Sequence, residues 1–413
     1  MRLVNVETFR LEEFIGDAIP SYAILSHTWG ADADEVSFRD IEHANSEGLA
    51  NRHIKLAGCC RQARLDRLQY VWIDTCCIDK ANSVELGEAI NSMFRWYQNA
   101  AVCYAYLSDV PRGGVGPQFP ASRWFMRGWT LQELLAPKTL VFYNVDWEPL
   151  GSKIELSSLI QEITGIPRPF LSGWAALHEA SVAQRMSWAS RRITKRKEDE
   201  AYSLLGIFGI SMAMIYGEGE SAFKRLQEEI IKVSSDHSIF AWGLDGSAFD
   251  AATSTGVQLG GLLAKSPAEF ANCGNIACRK QHTGTRSLFD LSNGYLRIKL
   301  PVYALHNGLT YGLLMCGPEL EDEKVVGIPL EVENAQSDKS NEEYLRPKGR
   351  LCVLLDETIP GAEAKQISIS TETQSRSSSE SSRHHWFYLA SLLGRTSSLW
   401  MSTPGRAGTR TTP

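Results

Sequence analysis

Several things are missing from this chain, and each absence closes off a class of function. No apolar run is long enough to cross a bilayer. The nearest approach, Ala201–Gly217, is free of charge but short, broken by glycines and flanked by acids, so a buried helix followed by a turn is expected there. The opening MRLVNVETFRLEEF has acidic residues where a secretory leader needs an apolar core, so a cytoplasmic protein is expected. Neither C-x-x-C nor H-E-x-x-H occurs, which disfavours a zinc site and a metal-dependent hydrolase; no metal and no required cofactor are expected. The lack of a G-x-G-x-x-G run disfavours a redox Rossmann enzyme. Basic excess is absent too: the net charge of -6 argues against a dedicated nucleic-acid partner.

What remains is an ordinary globular composition, 43% hydrophobic and 22% charged, on a chain long enough for two or three cores. The nine cysteines include the adjacent pairs Cys59–Cys60 and Cys76–Cys77. Neighbouring residues on a strand point to opposite faces, so reduced, buried thiols fit better than a zinc site built with His27 and His53.

The first ~150 residues alternate strand and helix signals. Strands are expected at Tyr22–Ser26, Tyr70–Asp74, Val102–Leu107 and Thr139–Tyr143, with a helix over His53–Leu68. A second helix opens on a capping box of Asn82 and Glu85, its apolar face being Leu86, Ile90, Met93, Phe94 and Tyr97. Such alternation predicts an α/β fold, a parallel sheet with helices on both faces. Ligands of these sheets bind beyond the carboxyl ends of the strands. Ser26, His27, Thr28, Trp29 and Gly30 fall there, as do Asp74 and Thr75 with Asp79 and Lys80, then Ser108 and Asp109. The same residue types also end strands merely by making turns.

Residues 151–235 read as a helical extension, with helix over Leu156–Thr164 and through Met186–Val233. Within it, the basic run Arg191–Lys197 reads as a solvated loop entering a helix at Glu198–Glu200, and Tyr216–Glu220 reads as a turn. Residues 236–360 read as a small β-rich domain, with strands at Gly260–Ala264, Tyr295–Val302, Tyr311–Met315, Val325–Ile328 and Leu351–Leu355. Residues 361–413 are Ser/Thr/Arg-rich and expected to be disordered.

One segment, Ser122–Pro137 (SRWFMRGWTLQELLAP), carries the most specific pattern. On a helix ended by Pro137, Leu131, Leu134 and Leu135 form one stripe, and Trp129 and Glu133 share the opposite face. A carboxylate held against an aromatic suits a glycosidic cleft; an exposed Glu beside a Trp packed under a loop fits the same spacing.

Read together, YAILSHTWG (Tyr22–Gly30), WIDTCCIDK (Trp72–Lys80), INSMFRWYQNAAVCYAYLSDV (Ile90–Val110), SRWFMRGWTLQELLAPK (Ser122–Lys138) and EDEAYSLLGIFGI (Glu198–Ile210) resemble the fungal heterokaryon-incompatibility (HET) domain family. The resemblance covers residues ~20 to 235; DHSIFAW and GGLLAKSPAEF look like the β-rich region that often follows. It implies self/non-self recognition and regulated cell death, and a remote relation to TIR domains, which have a flavodoxin-like sheet and many of which cleave NAD+. The run Trp129-Thr-Leu-Gln-Glu133-Leu134 stands where TIR domains carry their signature helix, with Thr130 in place of a frequent Cys. By that carry-over Glu133 is the catalytic carboxylate and NAD+ the candidate substrate. Ser26, His27, Trp29, Gly30, Asp74 and Trp129 would then line the pocket, with Trp29 or Trp129 stacked on nicotinamide. The alternative is a non-catalytic signalling module, in which Trp124, Arg127 and Trp129 form a surface for self-association or an incompatibility partner.

Overall fold

A computed structural model describes residues 1–371, apart from 32–33, 44–47, 50–51, 245–260, 280–288, 305–309, 333–342, 348–350 and 357–361. Most of the Ser/Thr/Arg-rich tail therefore lies outside the described residues.

The N-terminal sheet is built from β1 (Arg2–Asn5), β2 (Leu11–Glu13), β3 (Ala23–His27), β4 (Tyr70–Trp72), β5 (Val102–Tyr106), β6 (Leu140–Tyr143) and β7 (Pro149–Ser152), in the order β2-β1-β4-β3-β5-β6-β7. The inner four, β4, β3, β5 and β6, are parallel, and the flanking strands pair antiparallel. All five residues of β3 and of β5 are buried, as strands covered on both faces must be. Connecting helices are α1 (Phe38–His43), α2 (Ile54–Leu65), the one-turn α3 (Asp74–Cys77), α4 (Ser83–Asn99) and α5 (Thr130–Leu135).

Side-chain alternation assigns the helices to faces. Leu25 and Tyr104 share a register row, and the Tyr104 hydroxyl donates to Asp66 at the end of α2. Ser26, Ala105 and Phe142 share the next row, on the opposite face, where Phe142 meets the Trp124 ring ahead of α5. Trp72, level with Ile24, packs against Trp96 and Tyr97 of α4 on that same face. Hence α2 covers one face, and α4 and α5 the other. In chain order the parallel strands run 2-1-3-4, which places the switch point between β3 and β5.

Expected strand positions agree to within a residue or two, except that β4 ends at Trp72. Asp74 opens a helical turn instead, so Cys76–Cys77 lie on a turn and Cys59–Cys60 within α2, all four buried and unpaired. The Asn82 side chain caps α4 by accepting from the Val84 and Glu85 amides. Glu85 does not complete the box, because its carboxylate accepts from the Asp79 amide and pairs with Arg2.

Beyond β7, helical structure is more broken than its periodicity suggests. It consists of α6 (Ser157–Thr164), α7 (Arg168–Ser172), α8 (Val182–Ala189), α9 (Asp199–Tyr202), α10 (Leu205–Phe208) and α11 (Ser221–Val233). Gly209 ends α10 at φ +68, a left-handed conformation that suits glycine, which splits the charge-free stretch. Among the described residues no helix is long and apolar enough to cross a membrane.

A second sheet follows. Tyr295–Ala304 alternates cleanly, with Leu296, Ile298, Leu300 and Val302 buried, and pairs antiparallel with Glu363–Ser370 over eight residues. The sheet thus runs past residue 360, because EAKQISIS supplies a further strand, buried over Ile367–Ser370, where composition alone suggested disorder. The expected strand at Gly260–Ala264 does not form: described residues 261–264 are bends and loop.

Candidate functional site at the switch point

Helix α5 is a single turn and a half, and all six of its residues are buried. Of the two readings the spacing left open, the exposed Glu is therefore excluded, since Glu133 is only 7% exposed. It points at the carboxyl end of β3, where Ser26 donates to its Oε2 at 2.5 Å. The Ser26 oxygen in turn accepts from Trp124 Nε1 at 2.8 Å. Tyr97, on α4, is also hydrogen-bonded to Glu133 while its hydroxyl lies 2.9 Å from the Leu25 carbonyl.

Burial pushes the Glu133 carboxyl up to about 8, the charge on Asp74 adds to the rise, and Ser26, Tyr97 and Arg127 oppose it. Glu133 is thus held largely as the neutral acid at pH 7. Lys153 fixes the far end of α5, its buried ammonium donating to the Leu134 and Pro137 carbonyls at 3.0 and 2.6 Å. Burial depresses that lysine to about 8.

On the other side of the β3 end, Trp29 Nε1 donates to Asp74 Oδ2 at 2.9 Å. Lys80 Nζ lies 3.8 Å from the same carboxylate and 3.8 Å from the Trp29 ring centre, so one indole face is covered by an ammonium. His27 Nε2 sits 3.4 Å from Glu35 Oε2 and 4.0 Å from Asp74 Oδ1, within reach of charge attraction but long for a hydrogen bond. Glu35 also accepts from the Gly30 amide at 2.6 Å and pairs with Lys55. Burial alone would raise Glu35, yet His27, the Gly30 amide and Lys55 outweigh it and hold the carboxyl down at about 2.

Sequence-derived site residues therefore gather in two neighbouring groups: Ser26 with Glu133, and His27, Trp29, Gly30 and Asp74 around Glu35 and Lys80. Trp129 stands apart. It precedes α5 and hydrogen-bonds Asp199, whose carboxyl burial raises, against the pull of Trp129, Tyr216, Arg196 and Arg127. Trp124 is fully buried, so the expected exposed surface of Trp124, Arg127 and Trp129 lacks its first member. Sequence reading missed Glu35, Lys55, Tyr97 and Arg192. Nothing in ADADE marks Glu35 over its acidic neighbours, and Tyr97 was legible only as part of an apolar helix face. Arg192 was read as solvated, yet its guanidinium reaches the Arg127 carbonyl and Thr130 Oγ1, both at 2.9 Å.

Comparison with known proteins follows the same region. Residues 22–114 match the family model described as heterokaryon incompatibility protein (HET), and residues 221–296 match a domain of unknown function (DUF8212). The first span holds β3 to β5 and the Ser26–Gly30 and Asp74 groups; Glu133 lies beyond it. The chain is 48% identical over 223 residues to vegetative incompatibility protein HET-E-1 of Podospora anserina, an overlap of 52% of this chain and 16% of that relative. The chain thus spans a small part of the relative's length. No solved structure matches it significantly. Over the matched span, which holds three of the four parallel strands and the edge beyond them, this chain is similar to the heterokaryon incompatibility (HET) domain proteins.

Proposed function

We propose that this protein acts in heterokaryon incompatibility, triggering regulated cell death on non-self recognition, and that its HET domain does so by cleaving NAD+ between nicotinamide and ribose. The observation that carries the reading is the position of Glu133. It is a buried, proton-bearing carboxyl at the carboxyl end of β3, beside the switch point of a parallel sheet ordered 2-1-3-4 as in flavodoxin-like folds.

The chemistry follows from charge. Nicotinamide riboside linkages carry a positive charge, and their cleavage passes through an oxocarbenium-like state. A cation placed against Glu133 favours its ionised form, so binding expels the proton and leaves a carboxylate facing the positive centre. The C1′–N bond breaks with its electron pair leaving on nicotinamide; water adds to C1′ and releases its proton. No strong general acid is needed, because nicotinamide leaves as a neutral base. Ser26, anchored by Trp124, fixes the carboxylate orientation. Since Lys80 covers one face of Trp29, stacking of nicotinamide on that indole requires the other face or a displaced lysine.

Because Glu133 is almost closed off, activity is expected to depend on a change that opens the β3 edge, such as clustering. The purified full chain, incubated with NAD+ with and without a crowding agent, should release nicotinamide, and Glu133→Gln should abolish release while remaining folded by circular dichroism. Equal release by wild type and Glu133→Gln would overturn the assignment.

A further inference from the structure

The entry to α5 is crossed by the basic segment 191–197, which lies on it as a strap. The Gly128 amide donates to the Ile193 carbonyl at 3.0 Å and the Ile193 amide to the Met126 carbonyl at 2.6 Å, which sets Ile193 opposite Arg127 as a parallel bridge. Gly128 lets the strap lie there, since a Cβ at that position would collide with the Thr194 methyl. Two residues beyond Ile193, Lys195 Nζ stands 6.0 Å from the Trp29 ring centre. The strap therefore touches both halves of the site. It meets the Glu133 half at Arg127–Thr130, one turn before Glu133, and the Asp74 half at the indole that donates to that carboxylate.

The strap is held at its ends and lightly seated between them. At one end, just past α8, Arg192 Nη1 donates to the Arg127 carbonyl and to Thr130 Oγ1, both at 2.9 Å, while its Nη2 is buried with no hydrogen-bond partner. At the other end Glu198 Oε1 accepts from the Gly217 and Gly219 amides at 2.7 and 3.0 Å, and the Arg196 guanidinium lies 4.3 Å over the Tyr216 ring. Between these anchors Ile193 is 65% exposed and Lys195 is exposed as well. Strand β5, by contrast, is buried at all five residues. A segment that buries so little apolar surface opens locally at far lower cost than the sheet beneath it. Closure also leaves a guanidinium donor unpaired, a penalty that water removes when the strap lifts.

We propose that residues 191–197 are a lid over the β3 edge, latched by Arg192 and anchored by Glu198, and that its lifting from Met126–Gly128 admits the ligand to Glu133. The inference rests on the reading of that edge as a nucleotide site and names the part that must move to open it. Lifting breaks the two backbone bonds and withdraws the Arg192 guanidinium from the start of α5. The far end of α5 stays pinned by Lys153, and Ser26 stays anchored by Trp124, so the carboxyl keeps its place while its cover moves.

Hydrogen exchange on the full chain, read by mass spectrometry, tests the lid without reference to activity. Peptides carrying the Gly128 and Ile193 amides should exchange about a hundredfold faster than those of β5, which open only with the sheet. Equal protection of strap and β5 overturns the proposal. A covalent latch supplies the second arm. Arg127→Cys with Ile193→Cys puts two thiols on directly opposed residues of the bridge, a separation that a disulfide spans. Once oxidised with diamide and shown by mass to carry the bond, this variant under clustering should lose about nine-tenths or more of its NAD+ cleavage and regain it on reduction. Wild type treated alike should not change. Equal cleavage by the oxidised and reduced variant overturns the lid and leaves glycohydrolysis standing. Fast strap exchange in a wild type that leaves NAD+ intact does the reverse.

Discussion

Replacing Glu133 by glutamine should change how stability depends on pH, and the sign follows from the cradle. In the unfolded chain this carboxyl titrates near its ordinary value of 4.5; in the fold it is pushed up to about 8 by burial. Below pH 4.5 both states hold the proton, and the group contributes nothing. Between the two values the unfolded chain has lost its proton while the native state retains it, so rising pH favours unfolding; above about 8 the penalty is complete. The separation corresponds to roughly 5 kcal/mol as an order of magnitude. Glutamine imitates the neutral acid: its carbonyl can accept from Ser26 and its amide can donate to the Tyr97 oxygen, with no proton to lose. Urea unfolding of both proteins at pH 5, 6, 7, 8 and 9 isolates the effect, since other groups titrate alike in the pair. Near pH 5 the two should be similar in stability, and by pH 9 the Glu133→Gln protein should be the more stable by several kcal/mol. A difference that stays constant across this range would refute the neutral-acid assignment.

Two further substitutions probe the frame around the site. Ser26→Ala leaves Trp124 Nε1 and Glu133 each one bond short in a buried setting and should cost roughly 1–3 kcal/mol in urea unfolding; a cost indistinguishable from zero would mean that water replaces the hydroxyl. Gly58→Ala sets a methyl against the Trp147 indole that packs on α2 and should cost about 1–3 kcal/mol; wild-type stability would show that the indole is free to move aside.

Much of the parallel sheet was legible because its signals are local. AILSH and VCYAY are short apolar runs bounded by turns, and Asn82 is a side-chain cap that declares itself four residues ahead of an apolar face. What escaped was set by contacts distant in sequence. Whether Glu133 was exposed or enclosed stayed open because helical periodicity only sorts residues by face, and a six-residue helix between a sheet and a strap has no free face. The Arg191–Lys197 run looked solvated because charge density says nothing about Gly128, a single bare backbone position some sixty residues earlier on which the strap rests. Glu363–Ser370 was hidden by its neighbours: eight residues, of which only Ile367–Ser370 are buried, do not outweigh the serine-rich sequence that follows them. At the candidate site, the β3 end was readable as a place, and the partners Glu35, Tyr97 and Arg192 were not, since pairing across 8 (His27–Glu35) to 72 (Leu25–Tyr97) positions leaves no periodic trace.

The most direct test of the central claim is to express the full chain in fungal cells, force its clustering, and follow NAD+ and viability together for wild type and Glu133→Gln at matched protein levels. Glycohydrolysis at the β3 edge requires NAD+ to fall before viability in the wild type, with both preserved in the variant. Cell death that persists in Glu133→Gln with NAD+ undiminished would contradict it.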